Sequence, residues 1–239
     1  MAKPAILVLA LGTAMAAALL AADPQSVTPA QAVPVDKEPQ HHLVFENEYT
    51  RVFSVQLPPH SQTLLHRHDR DYVYVTLGPA EIENDVLDKP PRQVKLQDGE
   101  ANFVKGGFAH VAKNLADTPF RTVAIEVVGR AENDKPADKA ERGLELGHGA
   151  ISDLVADNDE VRIRDIQLAP GAMSHTDTPT LPHVLVAITD LNLHDEEKGG
   201  GTREIRIQAG GQLWMPAGAT PMRTNRNKQP ARYVTVEFK

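Results

Sequence analysis

Short runs in which apolar and polar residues alternate recur along most of the chain, and that period-two pattern is the signature of half-buried β-strands. Arg51-Val52-Phe53-Ser54-Val55-Gln56-Leu57 alternates in this way, as do Tyr72–Leu77, Arg92–Leu96 and Thr122–Val127. Pro and Gly punctuate the gaps, at Pro58-Pro59, Gly78-Pro79, Lys89-Pro90-Pro91 and Gly106-Gly107. The same spacing predicts strands at Val161–Leu168, Val184–Ile188, Arg203–Ile207 and Tyr233–Phe238. Beyond residue 22 no long stretch has helical periodicity. Many short strands at regular spacing predict an all-β sandwich or barrel, and a jelly roll closes its edges best at this size.

The pattern also repeats. An offset of 111 residues aligns residues 41–128 with 152–239 without a gap. Leu43-Val44 falls on Leu154-Val155, Asn47 on Asn158, Arg51 on Arg162 and Pro59 on Pro170. Gly99 meets Gly210, Gly107 meets Gly218, Asn114 meets Asn225, Arg121 meets Arg232 and Glu126 meets Glu237. One offset holding from end to end makes the chain two copies of one β unit. Residues 129–151, rich in Glu, Asp, Lys and Gly, read as a flexible charged joint between them.

The first 22 residues stand apart. Lys3 is followed by Ala5 to Ala22, apolar except for Gly12 and Thr13. Small residues around Ala22 and Ala30-Gln31-Ala32 give cleavage patterns, so residues 1–22 read as a secretory signal. An uncleaved membrane anchor is the competing reading, since about 18 apolar residues can just cross a bilayer. Either reading puts the body outside the cytoplasm, periplasmic or secreted. Residues 23–40, with four prolines, read as an extended linker.

Composition narrows the chemistry. The chain has 239 residues, a net charge of −7 and no basic tract, which argues against nucleic acid as a partner. It has no cysteine, which removes disulfides, thiolate metal sites and a cysteine nucleophile. It has ten histidines, and they cluster. His66 and His68 are two apart on a predicted strand, so both imidazoles leave one face. Asp71 opens the next strand, on the face it shares with Val73, Val75 and Leu77, and a buried carboxylate there needs a partner or a metal. His110 follows the Gly106-Gly107 turn, and a barrel can place it opposite the first two histidines. Three imidazoles and one carboxylate would suit a single divalent ion, Fe, Mn, Ni, Cu or Zn.

At these residues the chain resembles the cupin superfamily. Its first motif is Gly-x5-His-x-His-x(3–4)-Glu-x6-Gly and its second Gly-x5-Pro-x-Gly-x2-His-x3-Asn. Gly99, Gly107, His110 and Asn114 fit the second in register, with Lys105 where proline is usual. His66, His68 and Gly78 fit the first, with His60 in place of glycine and Asp71 in place of glutamate after a shorter spacing. The resemblance implies two tandem cupin barrels, a bicupin, with His66, His68, Asp71 and His110 as metal ligands in the first. At the same offset His66 meets Asp177, His68 meets Pro179, Asp71 meets Pro182 and His110 meets Pro221, so the second barrel is expected to bind no metal.

Other residues carry plainer expectations. His41-His42 reads as solvated at the end of the linker, His60 as a turn residue, and His175 and His183 as surface or rim residues. Arg51 and Arg121 recur in the second copy and read as structural. Phe103 reads as core, while Phe108, Tyr72 and Tyr74 line either a pocket or the seam between barrels. The resemblance implies a metal-dependent enzyme on a small organic molecule, with dioxygenase, decarboxylase, lyase and isomerase chemistry all open. A non-catalytic small-molecule-binding or structural bicupin is the alternative, and a homodimer is compatible with either.

Overall fold

Strands form where the alternation places them. The structure, a computed structural model, describes residues 31–130, 144–145, 149–175, 180–197, 199–218 and 221–239. The expected signal at 1–22, residues 23–30 and most of the charged joint lie outside these.

The first half contributes β1 (Val33–Pro34), β2 (His41–Glu46), β3 (Thr50–Leu57), β4 (His66–His68) and β5 (Tyr72–Thr76). It continues with β6 (Ala80–Val86), β7 (Arg92–Leu96), β8 (Ala101–Val104), β9 (Phe108–Asn114) and β10 (Phe120–Val127). The second half contributes β11 (Leu144–Glu145), β12 (Ala150–Asp157), β13 (Val161–Leu168), β14 (Met173–His175) and β15 (His183–Ala187). After these come β16 (Leu191–Glu197), β17 (Thr202–Ile207), β18 (Gln212–Met215), β19 (Pro221–Asn225) and β20 (Ala231–Phe238).

These strands make four sheets, ordered β1-β4-β9-β6-β7 and β2-β3-β10-β5-β8 in the first half, and β11-β12-β13-β20-β15-β18 and β14-β19-β16-β17 in the second. Under the 111-residue offset β2-β3-β10-β5-β8 falls on β12-β13-β20-β15-β18 and β9-β6-β7 on β19-β16-β17, while β1 and β11 join different sheets and β14 precedes the position of β4. The result is the expected all-β fold of two tandem jelly-roll barrels. Each pair of sheets encloses its own core, with Phe53, Val55, Leu57, Tyr72, Ile82 and Phe120 in the first and Leu168, Leu185, Leu193, Ile205 and Tyr233 in the second.

A third core lies between the halves. Val52, Val73, Val75, Val123 and Ile125 pack with Val161, Ile163, Val184, Val234, Val236 and Phe238. Alternation explains it. On β3 and β10, Phe53, Val55 and Ala124 face the barrel interior, while Val52, Val123 and Ile125 face the other half. The sheet carrying β3, β10 and β5 is therefore buried on both faces, so Tyr72–Thr76 is almost continuously buried.

The segment expected as a linker is built into the barrel from residue 31 onward. Val33 and Pro34 pair in parallel with His66 and Arg67, Val35 is buried in the first core, and Arg67 Nη1 donates to the Ala32 carbonyl at 2.8 Å. Proline is tolerated in β1 because that strand is a sheet edge. The joint at 129–151 is likewise shorter than expected, since Ala150 and Ile151 begin β12 and Leu144–Glu145 pairs with it.

Candidate metal centre

The centre is built on the pairing of β4 with β9. His66 lies directly across from His110, and His68 two residues along across from Phe108. Because β4 is buried on alternate positions, His66 and His68 both enter the interior, at 0 and 2% exposure. The His66 and His110 rings are 4.4 Å apart between centroids, and His68 and His110 are 5.2 Å apart. The sequence-predicted imidazoles thus meet.

Hydrogen bonds set the tautomers of two of these rings. His66 Nδ1 donates to the Leu64 carbonyl at 3.0 Å, and His110 Nδ1 to Asn84 Oδ1 at 2.6 Å. With each Nδ1 proton committed to an acceptor, each Nε2 keeps its lone pair. His110 Nε2 is buried with no partner, as is His68 Nδ1. His66 Nε2 and His68 Nε2 lie 3.2 Å apart. Two nitrogens bound to one ion at about 2.1 Å sit roughly 3.0–3.4 Å apart, so that separation and the orphaned nitrogen of His110 both fit a shared metal.

The electrostatics agree. Burial, with the neighbouring His41, pushes the His66 imidazolium down to about 4. Burial, with His110, His66 and His41, pushes His68 down to about 2. His110 is depressed for the same reasons, burial first and then His66 and His41. These rings are neutral at ordinary pH, the state in which imidazole binds metal.

Asp71 does not join them. Its Oδ2 accepts from Lys105 Nζ at 2.7 Å and its Oδ1 from the Gly106 N–H at 2.7 Å. Lys105 Nζ also reaches Glu160 Oε1 of the second half at 2.8 Å. Period two is the cause. Tyr72 faces the interior and stacks on His68 at 4.2 Å, so Asp71 points with Val73 and Val75 toward the other half. The expectation that these residues share a face holds, but that face is the seam between the barrels. Gly106 allows the contact, since a Cβ there would sit 2.4 Å from the Arg70 backbone.

His41, expected to be solvated, lies beside the centre with its side chain only 6% exposed. Its ligand atom lies within 4.8 Å of those of His66 and His68, and its ring centroid is 4.8 Å from that of His66. Its Nδ1 donates to Glu38 Oε2 at 2.7 Å. Glu38 is 2% exposed. Burial opposes its ionisation, but hydrogen bonds from His41, Gln40 N–H and Leu64 N–H outweigh that and hold its carboxyl below the usual range. The available signal was Glu38 three residues before a histidine that opens a strand. Tyr72 and Phe108 cover His68. A cleft of about 370 Å³ is lined by Pro34, Val35, Asp36, Arg51, Asp69, Arg70 and Glu126, none of them a sequence-predicted site residue.

The second barrel is organised differently. Asp195, at the position of Asn84, takes two 2.7 Å hydrogen bonds from Arg223, and Arg223 also reaches the Tyr233 hydroxyl at 3.4 Å. His183 is not a rim residue: it is 4% exposed, and its Nδ1 donates to the Leu181 carbonyl at 2.8 Å. The counterparts of His66 and His68, Asp177 and Pro179, lie outside the described residues.

No protein-family model and no curated protein matches the chain. Among solved structures, one of Bacillus subtilis oxalate decarboxylase concerned with its Mn(II) centres matches at 12% identity, with a TM-score of 0.57 over 80% of this chain and 69% of that one. A deletion mutant of the same enzyme matches at 13% identity, with a TM-score of 0.59 over 82% of this chain and 71% of that one. A cupin domain from Bordetella pertussis Tohama I is 28% identical over 36% of this chain and 90% of that one, with a TM-score of 0.35. The oxalate decarboxylase matches establish a likeness of fold.

Proposed function

We propose that the chain is an exported bicupin that binds one divalent transition metal in its N-terminal barrel through His66, His68 and His110, and that its C-terminal barrel has lost the ligands. The observation that carries this reading is the meeting of buried imidazoles with unspent nitrogens: His66 Nε2 and His68 Nε2 lie 3.2 Å apart, the His110 ring centroid is 4.4 Å from that of His66, and His110 Nε2 is buried with no partner. The Arg223–Asp195 pair supports the loss in the second barrel, because it satisfies that barrel's buried charge without an ion. The apolar leader supports export.

Within this reading the protein is a metal-dependent enzyme on a small organic molecule. A bound ion would supply Lewis acidity toward a substrate oxygen, or redox chemistry if it is iron, manganese or copper. The chain's own part is to hold the imidazoles neutral, to orient them through Leu64 and Asn84, and to shield them with Tyr72 and Phe108. A second reading, a metal-stabilised binding protein, is favoured by the enclosure of the rings.

Metal analysis of the mature protein beside a His66→Ala/His68→Ala variant tests the binding. One equivalent in the wild type and none in the variant is expected. Oxygen uptake with small phenols and enols, followed by product analysis of carboxylic-acid and enol substrates for the chemistries that need no oxygen, then separates the two readings, since a binding protein leaves every substrate unchanged.

A further inference from the structure

We infer that the segment before β2 supplies a further ligand: His41, aimed by Glu38, completes an all-imidazole metal centre in place of the carboxylate expected at Asp71. This rests on the metal-binding reading and deepens it. Asp71 is turned to the seam, bonded to Lys105 and Gly106. The vacated role needs a donor on the interior side of the barrel, and among the described residues His41 is the further imidazole grouped with His66 and His68. Its register explains how. His41 lies across from Val55, an interior residue, and its ring packs edge-on against Phe53 at 6.4 Å.

The ring is held as those of His66 and His110 are, through Nδ1. A carboxylate can only accept, so His41 Nδ1 donates to Glu38 and Nε2 carries the free lone pair. A carboxylate behind a ligating imidazole fixes the ring and raises its basicity. Glu38 is itself fixed, by the N–H groups of Gln40 and Leu64 at 2.8 and 3.2 Å. Leu64 also accepts from His66 Nδ1, so the supports of two ligands meet on one residue. Glu38 is thus a positioning residue, and the donor set is four nitrogens. Such a set suits copper, nickel, zinc or iron, whereas oxygen donors suit manganese and magnesium.

Cu(II) serves as the probe, because its electron paramagnetic resonance spectrum reports the bound nitrogens, and Zn(II) competition gives affinity. The wild type should show a four-nitrogen pattern. His41→Ala should lose one nitrogen, and Glu38→Gln, which preserves shape, should weaken binding about 10–100-fold with altered copper parameters. Asp71→Asn should change neither the pattern nor the affinity. Circular dichroism confirms that each variant is folded. A wild type that binds no metal overturns the metal-binding reading and this inference with it. A wild type that binds, with nitrogen pattern and affinity unchanged in folded His41→Ala or Glu38→Gln, overturns only the role of His41.

Discussion

Asp71 and Lys105 form a 2.7 Å ion pair, and they are two of the three positions at which the chain departs from the cupin pattern it otherwise keeps. The departures are one event in space. Acid and lysine meet each other and Glu160, and so bridge the barrels. Asp71→Ala should therefore leave metal content unchanged in the purified protein. It should cost about 1 kcal/mol in urea unfolding, since a partly exposed pair and one charge-assisted N–H bond are lost.

Asn114 and Asn225 hold corresponding turns closed. Asn114 Nδ2 donates to the carbonyls of Leu57, Pro58 and Thr118, and its Oδ1 accepts from Ala116 N–H. Asn225 makes the matching set to Leu168, Ala169, Gln229 and Asn227. Since the same network recurs in the barrel without the ligand histidines, the motif asparagine serves the fold. Asn114→Ala and Asn225→Ala should each destabilise by about 2–4 kcal/mol, because buried carbonyls lose their donor. Comparable losses in both halves, read from urea midpoints, are the expected signature.

Acid should destabilise the metal-free protein. Burial and, for His66, the nearby His41 hold His66 at about 4, and burial likewise holds His183 at about 4, against an ordinary value of 6.5. Between those limits the unfolded chain binds protons that the folded chain refuses, so stability falls as pH drops below 6.5 and these two groups add nothing further below about 4. Above pH 7 they contribute no slope. Each can account for up to about 3 kcal/mol. Glu126 and Glu237, raised by burial, act in the opposite sense. Urea midpoints at pH 7.5 and 5.0 should differ in the wild type, and by less in His183→Gln.

Period two made the strands legible before any coordinates, a single 111-residue offset the repeat, and the two histidine motifs of a closed barrel the approach of His110 to His66 and His68. It also grouped Asp71 correctly with Val73 and Val75. What it could not say was which side of that sheet held the site, because both faces are buried and both are apolar. His41 was hidden for a different reason. Its environment depends on a parallel pairing of Val33 with His66, a contact between distant segments that local alternation does not encode, and the prolines around it resemble those of a free linker. The cross-strand pair Arg51–Glu126, at 3.0 Å, recurs as Arg162–Glu237, at 3.3 Å, as the repeat implied.

The third departure, His60, has a backbone explanation. Its φ is +54°, and its counterpart under the offset, Gly171, has φ +73°. The turn requires the left-handed region in both copies, and only the second has the residue that enters it without strain. His60 has compensation in a 2.8 Å contact with Asp117, but both side chains are largely exposed, so the pair contributes little. Relief of left-handed strain is worth about 1–2 kcal/mol, and the greater freedom of an unfolded glycine returns part of it. His60→Gly should therefore raise the melting temperature by about 1–4 °C while leaving metal binding unchanged. A melting temperature that drops instead would mean the Asp117 contact outweighs the strain.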